Sequence, residues 1–199
     1  MGEGSGPSIS LLLKAGGRHR LNAARATGRR RDDVLRNPSH TAIRGYIDIL
    51  WDVTYDWNVR VVVDTSVVVA GLRSRLGASN RVLLGIAEQR LTPLVTTAVF
   101  LEYEAVLRRA EQRLATGMSE ADIDGFLRAF AAAAEPVEIS FRWRPQLRDP
   151  ADELMLEAAV NGHADAVVTH NVSDFASASA RLGVPVLTPA QLLKELSKP

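Results

Sequence analysis

Four separated stretches of this 199-residue sequence place oxygen-bearing side chains where strands end or helices begin. Asp64 directly follows the run VVV at 61–63, and Glu102 lies within the second turn of a helical stretch that starts near Thr97. Asp149 and Asp152 stand three apart around Pro150, which puts them on roughly one helix face. The run AVVT at 166–169 leads through Thr169 to His170, Asn171 and Asp174. Carboxylates gathered in a small space repel and raise one another's pKa unless a cation balances them. Hard divalent ions such as Mg²⁺ or Mn²⁺ take oxygen ligands and keep several waters, so an acid cluster without His or Cys ligands suits them. Held between a phosphate oxygen and a water, such an ion polarises phosphorus and lowers the pKa of the water. The chemistry these residues point to is hydrolysis of a phosphodiester.

Each acid also has an ordinary structural reading. Asp64-Thr65-Ser66 can be a loop that caps the next segment, and Glu102 an exposed helix charge. Asp149 before Pro150 is a standard N-cap, while Asp152 near a helix start complements the helix dipole. Asp174 can close an Asx-turn, and Asp165 a turn running from Gly162. His163 and His170 have no partners at metal-ligand spacing. The case for a site rests on the joint placement of the acids.

The elements that must position them follow from the hydrophobic pattern. VVV at 61–63 is a short continuous apolar run, as expected of a strand buried on both faces. A loop leads to an amphipathic stretch at about 78–90, and LVT at 94–96 reads as a second strand after Pro93. Thr97 can cap a long helix to about 115, with Val99, Val106 and Leu107 on its apolar side. A helix over about 119–134 opens on Ser119 with Asp122 three residues on, close to a capping box. VEIS at 137–140 reads as a third strand, and Asp149-Pro150 opens a helix that ends near Gly162. AVVT at 166–169 and VPVL at 184–187 supply a fourth and fifth strand, and a last helix runs from Pro189 to about 196. Short β-branched strands alternating with helices imply a parallel α/β sheet, whose ligands sit outside the carboxyl ends of the strands.

The net charge of +1 hides an asymmetry. Residues 1–60 hold ten Lys and Arg against six Asp and Glu, whereas residues 61–199 hold fourteen against seventeen. A mildly acidic globular part is unusual for a protein that only grips nucleic acid by its backbone, and less so if some of its acids hold metal ions. Residues 1–58 read as a basic, poorly ordered extension through Arg29, Arg30 and Arg31: a solvated tail, a stretch upstream of the true start, or an arm that attracts nucleic acid. Segment 46–58, with two tryptophans, shows no clear period, and the domain proper is expected over 59–196. The absence of cysteine excludes disulfides and thiolate zinc sites. No apolar run approaches the length of a membrane span, and a cytoplasmic location is expected.

Other chemistries lack their motifs. GEGSGP at 2–7 imitates a Gly-rich dinucleotide loop, but no strand precedes it. There is no P-loop lysine pattern and no G-x-S-x-G elbow. A phosphatase using Asp64 as nucleophile would want a second Asp two residues on, and position 66 is Ser.

In order, RVVVDTSVVVAGL (60–72), TTAVFLEYEAVLRR (96–109), RDPADELMLEAAVNGHADAVVTHNVSDF (148–175) and VPVLTPAQLL (184–193) resemble the PIN-domain family, particularly its bacterial VapC-like toxins of toxin–antitoxin pairs. The resemblance implies a three-layer fold with a central parallel sheet, usually dimeric. It implies Mg²⁺- or Mn²⁺-dependent cleavage of RNA, and inhibition by an antitoxin bound near the active-site groove. Carried over residue by residue, it implies that Asp64, Glu102, Asp152 and Asp174 bind metal. Thr65 and Ser66 match small hydroxyl residues beside the first acid, and Thr169 ends the last motif's strand. Asp149 matches an acid of the D-P-x-D motif. Asn171 stands where many relatives have an aspartate; the amide weakens a second metal position and leaves open a catalytically inactive module that docks RNA or protein.

Overall fold

The computed structural model describes residues 59–142, 144 and 146–197. The basic extension and segment 46–58 lie outside the described residues. Five strands form one parallel sheet: β1 (Val59–Val63), β2 (Leu91–Val95), β3 (Glu135–Pro136), β4 (Ala166–Val168) and β5 (Val186–Leu187). Their spatial order is β3-β2-β1-β4-β5. The chain winds outward from β1 through β2 to β3, then crosses back to β4 on the other side of β1. The topological switch point, where α/β sheets place their ligands, therefore lies between the carboxyl ends of β1 and β4.

Eight helices flank the sheet among the described residues: α1 (Thr65–Arg73), α2 (Ala78–Ala87), α3 (Thr97–Leu107), α4 (Ala110–Thr116), α5 (Glu120–Ala133), α6 (Pro150–Asn161), α7 (Val172–Leu182) and α8 (Pro189–Leu196). Val61, Val62 and Val63 are wholly buried, as a strand covered on both faces requires. Around them pack Val67 and Val68 of α1, Met155 and Leu156 of α6, and Phe175 of α7. Tyr103 meets Phe130 edge to face, with ring centroids 5.5 Å apart. No described helix is long and apolar enough to cross a membrane.

Four expected boundaries differ, each for a local reason. The loop expected after Asp64 is helix α1: Asp64 accepts a bond from the Ser66 amide at 3.0 Å and caps it, and burial of Val67 and Val68 outweighs their modest reluctance to be helical. The cap of α3 is Thr96 rather than Thr97, its hydroxyl accepting from the Val99 amide at 3.1 Å. The long helix expected to 115 breaks into α3 and α4 because Arg109 is extended, at ψ 140°. VEIS at 137–140 is not a strand. Only the Val137 amide still pairs with β2, donating to the Val95 carbonyl at 2.9 Å, while those of Ser140 and Phe141 both donate to Asn161 Oδ1 at 2.9 Å. A side chain thus replaces the ladder. The capping box at Ser119 and Asp122 is formed as expected.

Candidate functional site

Asp64 sits at the switch point and is buried, 8% exposed. Its amide donates to the Val168 carbonyl at 2.9 Å, so its backbone continues the β1–β4 pairing by one step. One carboxylate oxygen caps α1; the other accepts a short hydrogen bond from the Thr169 hydroxyl. Thr169 is wholly buried, and its oxygen in turn accepts from the Asn171 amide at 3.0 Å. Asn171, Thr169 and Asp64 thus form a relay that locks the turn after β4 onto the carboxylate at the end of β1. From the other side the Tyr103 hydroxyl donates to the Val63 carbonyl, one residue before Asp64. Burial, then the charge of Asp64, push the Tyr103 hydroxyl far above its ordinary pKa, so it remains a donor.

The other acids arrive on helix N-termini, which a parallel sheet necessarily aims at the same edge. Asp149 is exposed and caps α6, accepting from the Ala151 amide at 2.9 Å, with Pro150 in the first turn. Asp152, half-buried in the same turn, has its carboxyl pushed up to about 6 by burial and by the charges of Asp64, Asp149 and Asp174. Asp174 stands exposed in the first turn of α7. A cleft of about 660 Å³ is lined by Asp149, Asp152 and Asp174 together with Arg148, Ser173 and Ser177.

The structure therefore brings Asp64, Asp149 and Asp174 within electrostatic reach of Asp152. Glu102 is half-buried beside Tyr103 and makes no hydrogen bond or ion pair among the described residues; its charge does not register at Asp152. Asn171 begins α7 but makes no side-chain capping bond. His170 is held by Ser79 of α2, Oγ to Nε2 at 3.0 Å. Asp165 is structural: it accepts from the Arg60 amide at 2.8 Å and clips the amino end of β4 to β1.

Two further acids of α6 escaped the sequence reading. Glu153 and Glu157 are 4% and 5% exposed. Glu153 accepts the amides of Gln146 and Leu147, and Glu157 pairs through both oxygens with Arg144 at 2.8 Å. Together they fix the segment that leads into Arg148 and Asp149. Their four-residue spacing along one helix face was visible in the sequence, but nothing there distinguished a buried face from a solvated one.

The donor set suits a hard divalent cation. It is all oxygen, it carries like charges that burden Asp152, and the buried hydroxyls Thr65 Oγ1 and Ser66 Oγ beside Asp64 have no hydrogen-bond partner among the described residues. As they stand, no three described His, Asp or Glu side chains converge on one point closely enough to hold an ion alone. Coordination would have to be completed by water and by rotation of the exposed acids, consistent with an ion that keeps much of its hydration.

Residues 60–173 match the family model described as PIN domain. No curated protein and no solved structure matches the chain. PIN domains are generally nucleases and typically use divalent metals. Because the matched region spans more than half of the sequence and contains the clustered acids Asp64, Asp149 and Asp152, the chain belongs to the PIN-domain family.

Proposed function

We propose that this protein is a Mg²⁺- or Mn²⁺-dependent endoribonuclease acting as the toxin of a type II toxin–antitoxin pair, in the cytoplasm and as a homodimer. The observation that carries the nuclease reading is the cleft that Asp149, Asp152 and Asp174 line together, beside Asp64 at the end of β1; the Asp152 carboxyl there is raised by burial and by the charges of Asp64, Asp149 and Asp174. Proteins rarely gather unbalanced carboxylates at a switch point without a use for them. Asp64, Glu102, Asp152 and Asp174 would hold the cation, with Asp149 at the rim. A bound divalent ion supplies charge neutralisation and a more acidic attacking water. Asp64 is held in place by the Thr169 hydroxyl and the Ser66 amide, so it presents its remaining lone pairs in a fixed direction. The hydroxyls of Thr65 and Ser66, without a partner among the described residues, are available to orient a water or a phosphate oxygen. Asp152, half-protonated near pH 6, becomes a full ligand above that pH.

The toxin assignment, the antitoxin, the dimer and the cytoplasmic location rest on the resemblance of the quoted motifs to that subgroup. Incubating purified protein with structured RNA, with and without Mn²⁺, tests the activity. Mn²⁺-dependent internal cleavage that an Asp64→Ala protein lacks is the expected result. Equal cleavage by the Asp64→Ala protein would defeat the assignment.

A catalytically inactive module that docks RNA or protein is the second reading. It is favoured by the amide at Asn171 and by the lack of a ready-made ion site among the described residues. Calorimetric titration with Mn²⁺ separates the two, since an inactive module should bind the ion weakly or not at all.

A further inference from the structure

An RNA strand is a polyanion, and the cleft proposed to cut it is lined by Asp149, Asp152 and Asp174. Arg148 is the only cationic side chain among the described residues that line this cleft. It is exposed and makes no ion pair or hydrogen bond among the described residues. Its neighbour Arg144, by contrast, is committed to Glu157. The backbone beneath Arg148 is nevertheless firmly held, because buried Glu153 accepts the amides of both Gln146 and Leu147. A cation on a fixed base, left unpaired at the lip of an acidic cleft, lacks a partner that the substrate can provide.

Helix α7 lines the same cleft. Ser173 and Ser177 lie four residues apart on α7, so both hydroxyls fall on one helix face along the cleft. The volume of about 660 Å³ is that of a small-ligand pocket and suits a short single-stranded segment rather than a duplex.

We infer that Arg148 is a substrate-positioning residue that grips a backbone phosphate of single-stranded RNA lying across this cleft, which Ser173 and Ser177 also line; the inference rests on the nuclease reading. The planar guanidinium fork matches two phosphate oxygens at once. The grip places the neighbouring phosphodiester over Asp64 and Asp152 and offsets the repulsion that the acids impose on an approaching strand.

Two measurements test this. In Mn²⁺-dependent cleavage of a labelled single-stranded RNA, Arg148→Ala should raise KM about tenfold and leave kcat within about twofold. Its dependence of log KM on log salt should be shallower by about 0.7, the loss of one phosphate contact to a single strand. Arg148→Lys should keep the wild-type salt slope with an intermediate KM, which a merely structural role would not produce. In parallel, fluorescence anisotropy reads binding of the same RNA to Asp64→Asn and to Asp64→Asn/Arg148→Ala protein, where cleavage is not needed. The second should bind about tenfold more weakly. Unchanged KM, salt slope and anisotropy in the Arg148→Ala proteins, or a loss confined to kcat, overturns the inference. RNA binding that depends on Arg148 in a wild-type protein that never cleaves overturns the nuclease reading alone. A protein that does not bind RNA overturns both.

Discussion

The Thr169 hydroxyl at the end of β4 donates a short hydrogen bond to the Asp64 carboxylate at the end of β1, joining residues 105 apart in the chain. The same oxygen accepts from the Asn171 amide, so one buried hydroxyl ties together both strands at the switch point and the turn that carries Asp174. Thr169→Val preserves shape but leaves a buried carboxylate oxygen and an amide short of a partner. We expect a loss of about 1–3 kcal/mol in urea unfolding. Cleavage should fall at least about tenfold beyond what the lost stability explains, measured under conditions where the variant is fully folded.

Asp64 has two tasks, and substitutions can separate them. Asp64→Asn keeps an N-cap acceptor for α1, whereas Asp64→Ala removes it and should cost about 1 kcal/mol more. Both should lose about a thousandfold in cleavage, because several kcal/mol of transition-state charge stabilisation goes with the carboxylate. Thermal melts paired with kinetics check the contrast. A stable Asp64→Asn protein with near-wild-type activity would show that the charge is dispensable.

Asp152 predicts a pH dependence of stability with an unusual sign. Its folded-state pKa, about 6, lies above the ordinary value of 3.8, so between those values the native state holds more protons than the unfolded chain. Stability therefore falls as pH rises from about 4 to about 6 and is level above that, opposite to a salt-bridged carboxylate. Solvent screening of this half-exposed group limits the effect to about 1 kcal/mol. The difference in urea midpoint between wild type and Asp152→Asn, followed across this range in EDTA, should show it. Added Mn²⁺ should reverse the penalty at pH 7.

Glu153 predicts a coupling between loop and site. Glu153→Ala strands the Gln146 and Leu147 amides and should destabilise the fold by about 2–4 kcal/mol. Glu153→Gln retains an acceptor oxygen and should lose less. Chemical denaturation reads both, and proteolysis should open the 140s segment first in the alanine variant.

Gly162 predicts a steric limit. A Cβ there would lie 2.8 Å from both the Ala158 carbonyl oxygen and Val137 Cγ2, and 2.9 Å from Leu94 Cδ1. Gly162→Ala should cost about 1–3 kcal/mol through overpacking, measured as a lowered urea midpoint.

Much of the molecule could be read from the chain alone, for a physical reason. Runs such as VVV at 61–63 and AVV at 166–168 carry their own burial signal, and Asp149-Pro150, Ser119 with Asp122, and Thr188 with Pro189 are local capping chemistry. Once strands alternate with helices, a parallel sheet sends Asp64, Asp149, Asp152 and Asp174 to its carboxyl edge without further information. What depended on the tertiary fold was every choice made by residues distant in sequence. β-branched propensity alone did not reveal that Val67 and Val68 would be helical, because core burial beyond an Asp64 cap decided it. VEIS at 137–140 alternated like a strand, yet Asn161 captured its amides. The helix ends at Gly162 as expected, but its φ is −84° and His163 takes the positive angle, at 50°; the glycine is there because Ala158, Val137 and Leu94 leave no room for a side chain. Nothing local to Glu153 and Glu157 marks them as buried; partners from the 140s segment decide it. Sequence pattern determines which atoms face which side of an element; only packing decides whether water or another side chain waits there.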